Sequence, residues 1–303
     1  MRHGVLIYNP AAGQSDLVRR LEAIRVTLRS EGLDLDLRPT KAPGHAAELA
    51  LDASREGAEI IAVCGGDGTI NEAALATAGS SVPIAILPGG TANVLARELG
   101  IPRALPAAAR VLLSGVPARI SVGTANDRRF IMMAGLGFDA MVLTGFNPML
   151  KRRLGRVAYA ARCAEELAWF HPPALEVETS EGSFEASMVI AANIRLYGGD
   201  FVIAPEADPT DDLLDLVIFR GRTRIDYARY FAGALTQRLS SFTDVTSIRT
   251  RKALVRSSGL PVPGHVDGDT VLTTPVSLSV EARALSVIVP AGSRYAGSSR
   301  ASS

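Results

Sequence analysis

The chain has 303 residues, 47% of them hydrophobic and 21% charged, with a formal net charge of +1. That length suits one large domain or two ordinary ones around a sizeable core, and the composition excludes a disordered chain. The near-zero charge supplies no general basic field, so nucleic-acid binding is not expected.

The start of the chain reads as a strand, Val5 to Tyr8, closed by Asn9-Pro10; its apolar stretch is too short for a signal peptide. Leu17, Leu21, Ile24 and Leu28 then recur at helical spacing. Leu33, Leu35 and Leu37 alternate with Asp34, Asp36 and Arg38 at strand period. Ala46 to Arg55 reads as a helix, and Ile60 to Cys64 as a fully apolar strand. Thr69 to Ala78 is a helix, Ile84 to Leu87 a strand and Ala92 to Leu99 a helix, stopped by Gly100-Ile101-Pro102. Strands alternating with helices predict a parallel sheet covered on both faces, with ligands at the carboxyl ends of its strands.

Beyond residue 122 the texture changes. Strand-like runs dominate: Phe130 to Ala134, Leu175 to Thr179, Met188 to Ala192, Leu214 to Phe219, Ala253 to Arg256, Val276 to Val280 and Ser286 to Val289. Helical stretches interrupt them at Val157 to Phe170 and Ile225 to Leu239. The pattern predicts an α/β domain over 1–122 and a mainly antiparallel β domain over 123–285. Residues 286–295 hold a last strand, and 296–303 are small and polar, as in a frayed, disordered tail. Cys64 and Cys163 form neither a disulfide framework nor a zinc site, and fit a reducing cytoplasm. No run approaches the roughly 20 apolar residues of a membrane-spanning helix, so membrane contact is expected to be peripheral.

Chemistry concentrates in four loops. Asn9-Pro10-Ala11-Ala12-Gly13-Gln14-Ser15 joins a strand to a helix, where backbone donors can meet an anion; it also fits an ordinary turn. Gly65-Gly66-Asp67-Gly68-Thr69-Ile70-Asn71-Glu72 places three glycines, a carboxylate and a hydroxyl after a strand. Glycines let a phosphate approach the backbone, and Asp67 makes sense beside magnesium or a proton-bearing group. No Lys follows the last glycine, so this is not a P-loop. Pro88-Gly89-Gly90-Thr91-Ala92-Asn93 repeats the logic, and two such loops on neighbouring strands would converge on one ligand. The fourth, Gly264-His265-Val266-Asp267-Gly268-Asp269-Thr270, is equally compatible with a plain hairpin and with a catalytic pair.

These motifs, in this order, resemble the diacylglycerol kinase catalytic family, which includes bacterial lipid kinases, sphingosine kinases and ceramide kinases. The resemblance continues through Ala134-Gly135-Leu136-Gly137-Phe138-Asp139-Ala140, Tyr197-Gly198-Gly199, Ala204-Pro205, Asp211-Asp212-Leu213-Leu214-Asp215 and Asp267-Gly268-Asp269. It implies an N-terminal α/β nucleotide domain like those of NAD kinases and 6-phosphofructokinases, a C-terminal β-sandwich and an active site in the cleft between them. It implies ATP contacts from Asn9, Pro10, Ala11, Ala12, Gly13, Gln14, Thr40, Gly65, Gly66, Asp67, Gly68, Thr69, Asn71, Gly90 and Thr91. It further implies a structural Mg2+ held by the Asp211 side chain and the carbonyls of Asp208 and Leu213.

The same resemblance assigns the catalytic carboxylate to Asp269, where the family has Glu, with Asp267 as its partner and Asp67 near a catalytic magnesium. Asp212 also departs, standing where the family has glycine. The implied activity is transfer of the ATP γ-phosphate to a lipid hydroxyl at the inner membrane surface, by a cytoplasmic protein that relatives suggest is a homodimer. An NAD-kinase-like kinase of a soluble hydroxyl and a nucleotide or lipid sensor are the alternatives. The basic stretches Met149 to Arg156 and Arg249 to Lys252 fit either attraction to an anionic membrane or plain solvation. Trp169-Phe170 is expected to be core packing.

Overall fold

Apolar periodicity sets the first layer of structure. In a computed structural model, which describes residues 1–12, 16–144 and 161–297, the first 115 residues form β1 (Arg2–Tyr8), α1 (Leu17–Ser30), β2 (Leu33–Pro39), α2 (His45–Arg55), β3 (Ile60–Gly65), α3 (Asp67–Ala76), β4 (Ile84–Pro88), α4 (Val94–Glu98) and α5 (Leu105–Ser114). Gly13, Gln14, the basic stretch Met149 to Arg156, the start of the Val157 to Phe170 helix and the tail from 298 lie outside the described residues. The helical stripe of α1 is the expected one, with Leu17, Leu21, Ile24 and Leu28 buried. β3 and β4 are buried along their whole length, as strands covered on both faces must be.

The strands run parallel in the order β2-β1-β3-β4. The chain leaves β1 for β2 on one side and then crosses to β3 on the other. The carboxyl ends of β1 and β3 therefore flank the switch point where such sheets bind ligands. α5 is a helix beyond the expected ones; its Pro106 lies in the first turn, where its missing N–H costs nothing.

The remaining elements are β5 (Val116–Ala125), β6 (Arg128–Phe130), β7 (Met133–Leu136), α6 (Phe138–Leu143), α7 (161–169), β8 (Leu175–Thr179), β9 (Gly182–Ala186), β10 (Met188–Ala192), β11 (Leu196–Tyr197), β12 (Phe201–Val202), β13 (Leu214–Phe219), α8 (Arg224–Leu235), β14 (Val245–Thr250), β15 (Lys252–Ser257), β16 (Pro263–Val266), β17 (Asp269–Thr273) and β18 (Val276–Val289). The chain divides into two units. Met1–Val122 clusters with the segment from Ala282 onward, and Gly123–Glu281 forms the other.

In the second unit one sheet runs β14-β13-β10-β7-β16-β17, and β8, β9, β15 and the first half of β18 form the opposing antiparallel layer. Side chains of both layers meet in one core: Leu175, Val177, Val255 and Leu278 from one, Leu136, Val189, Leu216 and Ile248 from the other. This is the expected β-sandwich.

Two readings of the strands change. Phe130 to Ala134 is not one strand, because the N–H groups of Ile131 and Met132 bond the Asp267 carboxylate instead of a neighbouring strand. Val276 to Val280 and Ser286 to Val289 are one strand. The polar Glu281 to Arg283 breaks the apolar run but not the backbone: Arg283 takes φ 50°, and its N–H donates to Ser121 Oγ at 2.9 Å. At its far end Val287 pairs with Ile84 of β4.

Candidate active site

The first unit gathers its polar loops at the carboxyl ends of four adjacent strands. Asn9 ends β1, Thr40 follows β2, Gly65 to Thr69 follow β3 and Gly89 to Thr91 follow β4. They are tied to one another. Thr40 N–H donates to Tyr8 O at 2.8 Å, and Asn9 N–H to Cys64 O at 3.0 Å. Asn9 Oδ1 accepts the Ala11 N–H at 2.9 Å, while its Nδ2 donates to Thr69 Oγ1 at 3.3 Å. Gly89 N–H donates to Gly65 O at 2.8 Å.

The glycines are required by this convergence. A Cβ on Gly90 would stand 2.5 Å from Gly66 Cα, and one on Gly65 2.7 Å from Thr69 Cβ. Neither contact is sterically tolerable; the two loops touch because Gly90 has no side chain, whereas a Cβ on Gly66 would meet Gly90 Cα at an ordinary 3.6 Å. Asn93, at φ 48°, closes the second loop: its Oδ1 accepts the Gly90 N–H at 2.9 Å and its Nδ2 returns to Gly90 O at 2.7 Å.

Asp67 joins the loops from the other side. α3 begins at Asp67, two residues before the expected start, and Asp67 Oδ1 accepts the Val94 N–H at 2.6 Å. The carboxylate thus caps α4. Burial pushes its carboxyl up from the ordinary range, opposed by N–H donors of Val94, Leu95 and Asn93. Asn71 is buried in α3, and Glu72 Oε2 accepts the Ala46 N–H at 3.3 Å, so the end of this motif braces helices. Pro10, Ala11, Gly68, Gly90 and Thr91 are exposed around the converged backbone. Burial pushes the Cys64 thiol up to about 12, as befits a small core hydrophobe.

The second unit brings two distant glycine motifs together by strand pairing. β16 lies antiparallel to β7, with His265 opposite Gly135. A Cβ on Gly135 would stand 2.4 Å from His265 Nε2 and 2.5 Å from Asp139 Oδ2. Its absence makes room for a buried network: His265 Nε2 meets Asp139 Oδ2 at 2.5 Å, and the Tyr197 hydroxyl bonds Asp139 Oδ1. His265 Nδ1 accepts the Gly268 N–H at 3.3 Å, which places the ring proton on Nε2, facing Asp139.

Asp267, at φ 48°, is anchored more firmly still. Its Oδ2 accepts the Ile131 N–H at 2.7 Å, and its Oδ1 accepts those of Met132 and Met133, each at 2.9 Å. Burial pushes this carboxyl up to about 6 against those donors. Asp269 leaves the braced turn as an exposed residue at the start of β17. The grouping of Tyr197, Asp139 and His265 was missed in sequence. All three stand in or beside quoted motifs, but only the β7–β16 register makes them neighbours.

Two of the three groups expected to hold a structural Mg2+, the Asp211 carboxylate and the Asp208 carbonyl, are engaged otherwise. Asp211 Oδ1 accepts the Leu213 N–H at 2.9 Å, its Oδ2 accepts from Arg249, and the Asp208 carbonyl accepts the Asp211 N–H at 3.2 Å. Among the described residues no group of three or more His, Cys, Asp or Glu side chains is placed to hold a metal ion. The donor set of Asp208, Asp211 and Leu213 does not fit a divalent ion in this arrangement.

Comparison with known proteins agrees with this architecture. The family model of the diacylglycerol kinase catalytic domain matches residues 3–125, and that of the YegS C-terminal NAD kinase beta sandwich-like domain matches residues 132–289. A diacylglycerol kinase of Mycobacterium tuberculosis is 30% identical over 292 residues, covering 93% of each chain. A Pseudomonas putida protein named "Probable lipid kinase YegS-like" is 32% identical over 273 residues, covering 88% of this chain and 89% of its own. A crystal structure of a diacylglycerol kinase from Bacillus anthracis shares the fold with a TM-score of 0.77 at 23% identity, over 95% of this chain and 96% of that one. The chain thus belongs to the diacylglycerol kinase catalytic-domain family, with a YegS-type β-sandwich-like domain as its C-terminal part.

Proposed function

We propose that this protein transfers the γ-phosphate of ATP to the hydroxyl of a lipid. The convergence of the loops after β1, β2, β3 and β4 supports this most directly. It creates a glycine-rich backbone surface, and the N–H groups of the turn after β3 can face phosphate oxygens there. In this reading Asn9 to Gln14, Thr40, Gly65 to Thr69, Gly90 and Thr91 receive ATP, and the buried Asn71 stands behind them in α3. Magnesium bound to the triphosphate would supply the charge neutralisation that phosphoryl transfer demands. Asp67 holds the two glycine loops in register beneath it.

Asp269 accepts the proton of the acceptor hydroxyl. Its exposure leaves it reachable, and Asp267 and His265 hold the turn that presents it. General-base catalysis demands that placement first. The test is radiolabelled ATP with a panel of diacylglycerol, sphingoid base and ceramide, alongside NAD and a no-acceptor control. Label in a lipid product is the expected result. Label in NAD alone would replace the lipid reading with the soluble-substrate one, and label in nothing would leave a sensor.

The acceptor's surroundings also follow. Of the basic run at Arg249 to Lys252, Arg249 and Arg251 are ion-paired with Asp211 and Asp212, which favours solvation over membrane attraction for this run. α8 is better suited. It turns Tyr227, Tyr230 and Gly233 inward yet exposes Ile225, Phe231 and Leu235 on its outer face. Phe170 is core, packed on Phe138 and Tyr227, but Trp169 is 81% exposed. Arg224 Nε donates to Phe170 O at 3.4 Å, placing the start of α8 beside that tryptophan.

Exposed Arg224 and Arg238 border this face, while Arg222 is ion-paired with Glu185; apolar side chains flanked by cations are the combination an anionic bilayer surface attracts. No described helix is long and apolar enough to cross a membrane. Sedimentation with phosphatidylglycerol vesicles is expected to fall several-fold in a Trp169→Ala, Ile225→Ser, Leu235→Ser variant. Unchanged sedimentation would remove α8 from the reading.

A further inference from the structure

Four carboxylates, Asp208, Asp211, Asp212 and Asp215, crowd into eight residues. Such a cluster needs positive charge, and the family resemblance implies a divalent ion. The strand register supplies something else. β13 and β14 pair antiparallel with Asp215 directly opposite Arg249. From there Arg249 Nε lies 3.5 Å from Asp215 Oδ2, and its Nη2 donates to Asp211 Oδ2. One guanidinium spans two carboxylates four residues apart. Arg251, two residues further on, donates to Asp212 Oδ2 in the same manner.

Three further oxygens of the loop accept bonds from within it. Asp208 Oδ1 accepts the Thr210 N–H at 2.9 Å and its hydroxyl at 2.7 Å. Asp211 Oδ1 and the Asp208 carbonyl each accept one N–H, from Leu213 and Asp211 respectively. A magnesium ion demands near-octahedral oxygen ligation and sheds water reluctantly. To reach Asp211 it would have to displace a guanidinium that also holds Asp215, which is only 2% exposed. Stripping the partner from a buried carboxylate is among the costlier changes a fold can suffer.

We propose that the Arg249 guanidinium is the resident cation of the 208–215 loop, so that this chain holds the loop closed without a divalent ion. Arg251 balances the extra charge of Asp212. The arrangement concerns the loop alone and uses no step of the transfer reaction, so it stands or falls separately from the proposed activity.

The experiment is thermal unfolding of the metal-stripped full chain without nucleotide, in excess EDTA and in millimolar magnesium chloride at matched ionic strength. The wild type is expected to melt at one temperature in both. Arg249→Met is expected to melt roughly 5 °C lower in EDTA. Magnesium should recover part of that loss, because the carboxylates are now open to it, and adding Asp211→Asn should abolish the recovery. A wild-type shift with magnesium that Asp211→Asn removes would overturn the proposal, as would an Arg249→Met protein no more magnesium-responsive than wild type. If Arg249→Met does not fold, electron paramagnetic resonance of wild type with Mn2+ decides: a bound signal lost in Asp211→Asn overturns the proposal, and a free-ion spectrum upholds it.

Discussion

The glycine loops of the first unit and the acidic turns of the second solve the same problem by opposite means. Both must hold polar atoms in fixed positions near solvent. The first does so by subtraction: Gly90 lacks a side chain, so its backbone touches that of Gly66, and Asn93 and Asp67 lock the contact. The second does so by addition. Asp267 takes up three backbone N–H groups, Asp139 takes up Tyr197 and His265, and Arg249 takes up two carboxylates. A backbone site tolerates few substitutions but titrates little. A side-chain site tolerates local backbone change but is sensitive to charge.

The largest effect that bears on this contrast should come from the residue the second unit presents. Asp269→Asn removes a base while leaving the braced turn intact, and the exposed side chain contributes little to folding. We expect lipid phosphorylation to fall by about 10²–10⁴-fold with an unchanged melting temperature. Steady-state rates and a thermal scan on the same preparation check both. Wild-type rate in the variant would leave the turn a structural hairpin and transfer the search for the base elsewhere.

Next is the backbone site. Gly90→Val sets a branched side chain where even a Cβ would approach Gly66 Cα to 2.5 Å. Neither partner is a flexible side chain, so strands β3 and β4 must separate at their ends. Overpacking of this kind costs about 1–3 kcal/mol, and ATP binding should weaken at least tenfold, measurable by calorimetry with a non-hydrolysable analogue. Full affinity in the variant would mean that the converged loops are not the phosphate surface.

The contrast also explains what was legible in the sequence. Subtraction leaves a local mark: Gly65-Gly66-Asp67-Gly68-Thr69 and Gly89-Gly90-Thr91 each follow an apolar strand, so loop, strand and helix could be placed from one window. The convergence of the two loops followed from the parallel order of β3 and β4. Addition leaves marks scattered through the chain. Asp139, Tyr197 and His265 are up to 126 residues apart, and nothing local ties them. Arg249 read as one member of a basic run because its partners, Asp211 and Asp215, lie on another strand whose register only the fold reveals. The two strand readings that changed have the same origin: Asp267 draws Ile131 and Met132 out of a strand, and Ser121 binds the N–H of Arg283 inside one.

A pH scan sharpens the charge sensitivity of the second unit. Burial raises the Asp267 carboxyl to about 6, against an ordinary value near 3.8. A carboxyl raised on folding gives stability that is fully present below about pH 4 and is lost as pH climbs through about 6. Allowing for its partial exposure, the loss is of order 1–2 kcal/mol. Denaturant midpoints at pH 5 and pH 7.5 should therefore diverge in wild type by more than in Asp267→Asn. Asp267→Asn should also be less stable at both, since one oxygen cannot serve Ile131, Met132 and Met133 together. Equal divergence in the two proteins would show that this carboxyl does not titrate in the window.

The smallest effect separates two roles for Asp67, where the two strategies meet, because here a side chain locks a backbone site. As a cap, its carboxylate receives Val94 N–H at the start of α4 and gives the loops one fixed spacing. Asp67→Asn keeps one acceptor oxygen but turns an amide toward the donors of Leu95 and Asn93, which costs about 0.5–1 kcal/mol. Acting through spacing alone, the substitution should raise the KM for ATP a few-fold and leave kcat within tenfold. A carboxylate that also met the magnesium of ATP would instead show in kcat, and the magnesium concentration giving half-maximal rate would rise with it. We expect the KM-dominated pattern, since the oxygen that faces α4 is already committed. Rates measured across a magnesium titration separate the outcomes, and a large kcat loss with a shifted magnesium midpoint would make Asp67 a group that contacts the donor's metal as well as the pin between its loops.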